Sequence, residues 1–438
     1  MALTRRTFIG SGLAAAGAAA CRGGETAGPR ADDRDAQPFD PDDWESVRSQ
    51  FELTPDVAHF AAFVLAAHPR PVVAAIAEHR AGLDMDTHAY LGSHQGELDA
   101  AVPAAAAEYL GAAPEEIALT DSTTMGLGLV YGGVVLRPDQ HVLTTEHDFY
   151  ATHEALRLRA ERTGASVEQV PLYDDPATTS EDEVIGRLVD AITASTRVVA
   201  VTWVHSGTGV KLPIAAMAAA LAELNRERDD ADRALLCVDG VHGLGVEDVS
   251  VQELGADFLV AVTHKWLFGP RGTGIIWGRA DAWPAVQSTI PTFAGASFER
   301  YLSGSAASTL TPGAANTPGG YHSFEHRWAL AEAFGFHRAI GRPRVAERTH
   351  VQATQLKEGL TDLRGVRVVT PMSEELSAGI VCFELEGRAP FESLAALERQ
   401  RISASVTPYR QPFLRLGPSI VTTPEEVDAA IEAIAGLR

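Results

Sequence analysis

The chain has 438 residues, 45% hydrophobic and 21% charged, the balance of an ordinary globular protein with room for two or three domains. Its formal charge of −22 speaks against nucleic acid or an anionic membrane surface as partner. Three cysteines, Cys21, Cys237 and Cys382, make neither a disulfide framework nor a Cys-x-x-Cys pair, and no metal site is expected.

The first 21 residues stand apart. Thr4-Arg5-Arg6-Thr7-Phe8-Ile9 carries paired arginines, followed by a weakly apolar stretch from Phe8 to Ala20. That stretch is too short to span a bilayer and reads as a twin-arginine signal. It implies the twin-arginine export machinery as a partner and the periplasm or cell envelope as destination. Two endings stay open: cleavage after Ala20, and a lipoprotein site with Cys21 lipidated. Residues 22–38, polar with Gly, Pro and Asp, read as a disordered linker, and 39–69 as an N-terminal arm.

From residue 70 to about 310, helix-like and strand-like segments alternate. The strand candidates are Ile117–Thr120, His141–Thr144, Ser166–Val170, Arg197–Val204, Leu235–Asp239, Phe258–Val262 and Gly274–Trp277. Seven strands with helical connections predict an α/β domain with a mostly parallel sheet. The turn Gly269-Pro270-Arg271-Gly272 is too short for a crossover helix, so the last strand is expected to run antiparallel. Residues 311–438 read as a smaller α+β domain. It has amphipathic stretches Phe324–Ile340 and Arg344–Leu360 and short strands Val366–Val369 and Gly379–Glu384. The final helix has Thr423 as N-cap, Pro424 first and Glu426 closing a capping box.

Only three lysines occur, Lys211, Lys265 and Lys357. Lys265 follows the apolar run Phe258–Val262 and precedes Trp266-Leu267-Phe268. Desolvation there lowers a lysine pKa and leaves an amine nucleophile; the plainer alternative is a packed stem with its ammonium in water. Asp239 ends the earlier run Leu235-Leu236-Cys237-Val238. Both residues then sit at carboxyl ends of strands, where open α/β sheets bind ligands. An amine and a carboxylate facing one crevice suit pyridoxal 5'-phosphate (PLP), the amine bonding the cofactor and the carboxylate keeping its ring nitrogen protonated. Ser122-Thr123-Thr124, between a strand and a helix, is either an anion site or a plain N-cap.

Asp239-Gly240-Val241-His242 and Thr263-His264-Lys265-Trp266-Leu267-Phe268-Gly269-Pro270-Arg271-Gly272-Thr273-Gly274 together resemble the class V aminotransferase family, over roughly residues 50 to 435. The resemblance implies the type I PLP-dependent transferase fold and, for 70–310, the role of PLP-binding domain. It places Thr123, Thr124 and His264 on the cofactor phosphate, His242 at the ring hydroxyl, and Ser122 and Ser206 near the cofactor. His147 matches a ring-stacking position, with Phe149 as its rival. Arg415 matches an arginine that grips the substrate carboxylate, with Arg410 a second candidate. Thr317 sits where relatives reach the neighbouring subunit's phosphate, which implies a homodimer with sites at the interface. Desulfurases of this family use a mobile cysteine in the C-terminal domain, but Cys382 lies in a strand-like run, so sulfur transfer is not expected. Val204-His205-Ser206-Gly207-Thr208-Gly209 and Phe324-Glu325-His326-Arg327-Trp328 fit isopenicillin N epimerase-like members. The expected function is a PLP enzyme acting at Cα of a small amino-acid-like substrate, as an epimerase or aminotransferase. A C–S or C–N lyase and an exported non-catalytic binding protein stand as alternatives.

Overall fold

The computed structural model describes residues 39–304 and 310–437. The proposed signal and linker, residues 1–38, lie outside the described residues. The seven main strands are β1 (Ile117–Thr120), β2 (His141–Thr145), β3 (Ser166–Val170), β4 (Thr196–Thr202), β5 (Leu235–Asp239), β6 (Phe258–Val262) and β7 (Gly274–Gly278). They form one sheet in the order β1-β7-β6-β5-β4-β2-β3. β2 to β6 pair in parallel; β7 runs antiparallel to both β6 and β1, as the short turn before it requires. Every strand except β3 is buried along its length. β5, β6 and the middle of β4 therefore read as continuous apolar runs, whereas β3, at the edge, has exposed positions.

β4 ends two residues before the apolar run does. Trp203 and Val204 have left the sheet but stay buried, because the next loop folds back over them: Leu212 N–H donates to Trp203 O at 2.7 Å, and Val204 bridges Lys211. Burial by a returning loop looks like strand in the sequence.

The C-terminal sheet has strands β8 (Val366–Val368), β9 (Val381–Leu385), β10 (Ser405–Val406) and β11 (Leu414–Leu416), all antiparallel, in the order β10-β11-β9-β8. Helices Arg342–Thr361 and Pro424–Ala435 cover one face through Ala353, Leu356, Val427 and Ile434. The capping box of Thr423 and Glu426 is present.

Two segments side with unexpected neighbours. Phe324–Ile340 breaks at Ala329 into Phe324–Trp328 and Leu330–Ile340. Both pieces pack on helices of the larger part: Trp328 donates to Asp99 at 2.8 Å, and Phe334 lies against Tyr109. The stretch placed in the smaller domain by sequence thus belongs to the core around Thr87–Leu110. The N-terminal arm instead docks on the C-terminal part. Arg48 forks onto Glu426 at 2.6 Å, and Ala58–His59 pairs in parallel with Ile402–Ser403. It then crosses to the sheet edge, where Ala66 N–H donates to His264 O at 3.0 Å.

Candidate active site

A cavity of about 310 Å³ opens at the carboxyl ends of the central strands, at the small end of ligand pockets, which run from ~300 to ~1,000 Å³. Lys265 and Asp239 both line it. Burial pushes the Lys265 amine down to about 8; Asp239 opposes this and Arg415 adds to it. Burial raises the Asp239 carboxyl to about 7, against a 3.1 Å hydrogen bond from Val241 N–H and the Lys265 charge. The loop carrying Lys265 is held firmly. Gly269 N–H donates to Thr263 O at 2.8 Å. Phe268 has φ +56, a left-handed conformation unfavourable for a non-glycine residue, kept in place by full burial and an edge contact with Phe51.

The helix Thr123–Gly133 points its N-terminus at this cavity. Ser122 caps it by accepting Met125 N–H at 3.1 Å, and Thr123 Oγ1 accepts Val262 N–H at 2.9 Å. Gly126 permits that approach: a Cβ there would stand 2.5 Å from Val260 Cγ1. Ser122, Thr123, Thr124 and His264 all line the cavity. The helix N-terminus brings free amides and a positive dipole end, which suit an anion. Burial lowers His264 to about 4, so its ring is neutral, and its Nδ1 has no partner.

His242 and Ser206 also line the cavity. His242 Nδ1 accepts the Trp266 indole N–H at 3.1 Å, which leaves the proton on Nε2. Ser206 bonds Tyr409 hydroxyl to hydroxyl at 2.9 Å.

His147 does not line the cavity; Phe149 does. The reason is Asp148, which is buried. It accepts Thr144 Oγ1–H at 2.7 Å, Thr145 N–H at 2.8 Å and Thr202 N–H at 2.7 Å. That three-way anchor fixes the turn. His147 swings away to stack on Tyr173, centroids 3.8 Å apart and planes 6° off parallel, and Phe149 is left on the cavity wall.

Arg415, on β11, lines the cavity and is buried. Its Nε donates to Ser405 Oγ at 2.6 Å, its Nη1 to Ser206 O at 2.9 Å, and its guanidinium lies 4.9 Å from the Phe63 ring. Two of its five N–H groups are used, which leaves three for a ligand. Arg410 is exposed and outside the cavity. Thr317 is also outside it. Its hydroxyl accepts Leu119 N–H and donates to Gly313 O, both at 3.0 Å, so its one proton is already engaged within this chain.

Sequence reasoning missed Phe63, Val64, Thr202 and Pro408 on the wall, and Asp148 and Ser405 behind it. Asp148 adjoins His147, so its carboxylate is a visible signal. Nothing local marks Phe63 or Ser405.

The cavity fits PLP on its own features. A buried carboxyl without a cationic partner in bonding range suits a ring N–H, a buried amine suits covalent attachment, and a helix N-terminus suits a phosphate. Residues 66–407 match the family model "Aminotransferase class-V". The chain belongs to the class V aminotransferase family. It is 26% identical to an isopenicillin N epimerase of Streptomyces clavuligerus over 90% of this chain and 98% of that one. It is 24% identical to a probable cysteine desulfurase of Streptomyces coelicolor over 84% and 89%. Its fold matches C-DES carrying glycine covalently linked to the PLP cofactor, with TM-score 0.79, 20% identity and coverage of 89% and 98%. It also matches a cysteine desulfurase of Thermococcus onnurineus, with TM-score 0.75, 21% identity and coverage of 90% and 97%. The fold is therefore the type I PLP-dependent transferase fold, and the cofactor of this enzyme is PLP.

Proposed function

We propose that the protein moves the proton at Cα of a small amino acid or amino-acid-derived substrate, as an isopenicillin N epimerase-like epimerase or an aminotransferase. The observation that carries this is one cavity lined by a buried amine, Lys265, a partly committed guanidinium, Arg415, and a buried carboxyl, Asp239. PLP, when bound, supplies an electron sink for the charge left at Cα. Lys265 would attach it, and Ser122, Thr123, Thr124 and His264 would hold its phosphate. Asp239 would hold a proton on its ring nitrogen, His242 Nε2 would donate at the ring edge, and Phe149 would cover one ring face. Arg415 binds the substrate carboxylate through its remaining N–H groups and so fixes how Cα is presented. A Lys265 amine with a pKa of about 8 is poised to accept and return a proton near neutral pH.

Persulfide chemistry has no support in the thiols. Cys237 and Cys382, the described cysteines, are both buried in strands, and burial pushes Cys382 up to about 12, whereas the nucleophile is the thiolate. The deciding experiment is incubation of the enzyme with amino-acid pools in heavy water. Deuterium at Cα with inversion identifies an epimerase, and keto acids an aminotransferase. Release of the β-substituent identifies a lyase and overturns the proposal. Export by the twin-arginine route, supported by Arg5-Arg6 and the Phe8–Ala20 stretch, and assembly as a homodimer belong to the same proposal.

A further inference from the structure

A second cavity, of about 160 Å³, lies at the ends of β1 and β7. Its walls include Thr120 and Asp121 from the end of β1, Arg271 and Thr273 from the turn into β7, and His322 and Arg327 around the start of Phe324–Trp328. Asp121 adjoins Ser122, so the two cavities flank one strand end. The pair Arg271 and Arg327 plays no part in the cofactor site.

Arg327 is loosely paired, although Asp121 and Asp99 both lie near enough to favour its charge. Arg327 has a side chain only 12% exposed, and its partner is Asp121 at 3.9 Å, itself half-exposed. The other nearby acid, Asp99, accepts the Trp328 indole N–H. Burial lowers the Arg327 pKa, the mark of a guanidinium short of compensation. Arg271 adds a second positive charge. Its Nη1 donates to His68 Nε2 at 3.0 Å, so His68 is a neutral acceptor and offsets none of it. His322 Nε2 is buried with no partner, and so is a polar atom without its hydrogen bond. A buried cation whose counter-ion stands beyond hydrogen-bond range is costly, and a guanidinium fork matches a planar oxyanion. At ~30 Å³ per water, the space holds roughly five waters, the size of one oxyanion-bearing group.

We propose that this second cavity is an oxyanion subsite, clamped by Arg327 and Arg271 with His322 Nε2 as a further contact, and that it takes a carboxylate or phosphate group. The group has two sources: a second acidic group on the substrate, or a free anion acting apart from it. The inference does not rest on the reaction type, since the loose pairing of Arg327 and the unpartnered His322 Nε2 are the same whatever happens at Cα.

The test uses PLP-loaded full-length enzyme in a buffer free of oxyanions, so that the cofactor site is already filled. Succinate and inorganic phosphate are titrated by calorimetry, and the His322 Cε1–H resonance is followed by NMR. Saturable binding that moves this resonance is expected. Arg327→Gln and Arg271→Gln should each weaken it roughly tenfold or more, the loss of a hydrogen bond to a charged group. Arg271 is exposed, so its variant keeps the test sound if Arg327→Gln folds poorly. Displacement of succinate by glutamate but not alanine would assign the group to the substrate; displacement by neither would assign it to a free anion. No saturable binding to the wild type, or unchanged affinity in both variants, would overturn the proposal.

Discussion

The pKa of Lys265 yields a prediction whose sign can be worked through. Burial lowers it from 10.5 to about 8. At pH 7 the neutral amine is then about one molecule in ten, against roughly one in 3,000 for an unburied lysine. Covalent capture of PLP by apoenzyme needs the neutral amine, so its rate should climb with pH and level off above about 8. An unperturbed lysine would keep climbing to about 10.4. Two neighbours push this midpoint in opposite directions. Asp239 raises it and Arg415 lowers it. Asp239→Asn should therefore move the plateau to lower pH, and Arg415→Gln should move it to higher pH. The assay is stopped-flow absorbance of PLP capture at a series of pH values, with borohydride trapping and peptide mapping to show that the label is on Lys265. A midpoint near 10, or shifts of the same sign in the two variants, would refute the electrostatic account of the site.

Arg415→Ala should cut kcat/KM for free amino acids by roughly 30- to 4,000-fold, the loss of a desolvated charge pair worth about 2–5 kcal/mol, and should flatten the preference for acids over their amides; Arg415→Lys should recover only part. Asp148→Ala strands three buried donors at ~1–3 kcal/mol each, roughly 3–9 kcal/mol against a total of about 5–15, so thermal unfolding should show a steep loss of Tm. Asp148→Asn, which turns an NH₂ toward Thr202 N–H or Thr145 N–H, should lose less. Phe149→Ala should shift the absorbance of bound PLP and speed its release, whereas His147→Ala should leave that spectrum nearly unchanged. Replacing Arg5 and Arg6 by lysine should hold the precursor in the cytoplasm; undiminished export would contradict the twin-arginine reading.

The elements that sequence disclosed share a physical cause. Buried parallel strands have apolar side chains on both faces, so β4, β5 and β6 announce themselves as unbroken runs. Lys265 and Asp239 stand out because each is a charge at the end of such a run. Ser122 is visible because capping is local. What stayed hidden depends on contacts between distant segments. His147 is the first candidate and Phe149 its rival; the bond that Asp148 accepts from Thr202 N–H, at a neighbouring strand end, completes the anchor of the turn that leaves Phe149 on the cavity wall. Thr317 carries the right hydroxyl, yet Leu119 N–H and Gly313 O already hold it, which no reading of Asn316-Thr317-Pro318 reveals. Arg415 is found from its resemblance to the family's carboxylate-gripping arginine, but its setting is not. Ser206 O, Ser405 Oγ and the Phe63 ring come from three separate parts of the chain. Together they hold two N–H groups and one face of the guanidinium in place. The N–H groups left free on that arginine are thus set by contacts from outside its own strand, and its grip should depend on the N-terminal arm that carries Phe63.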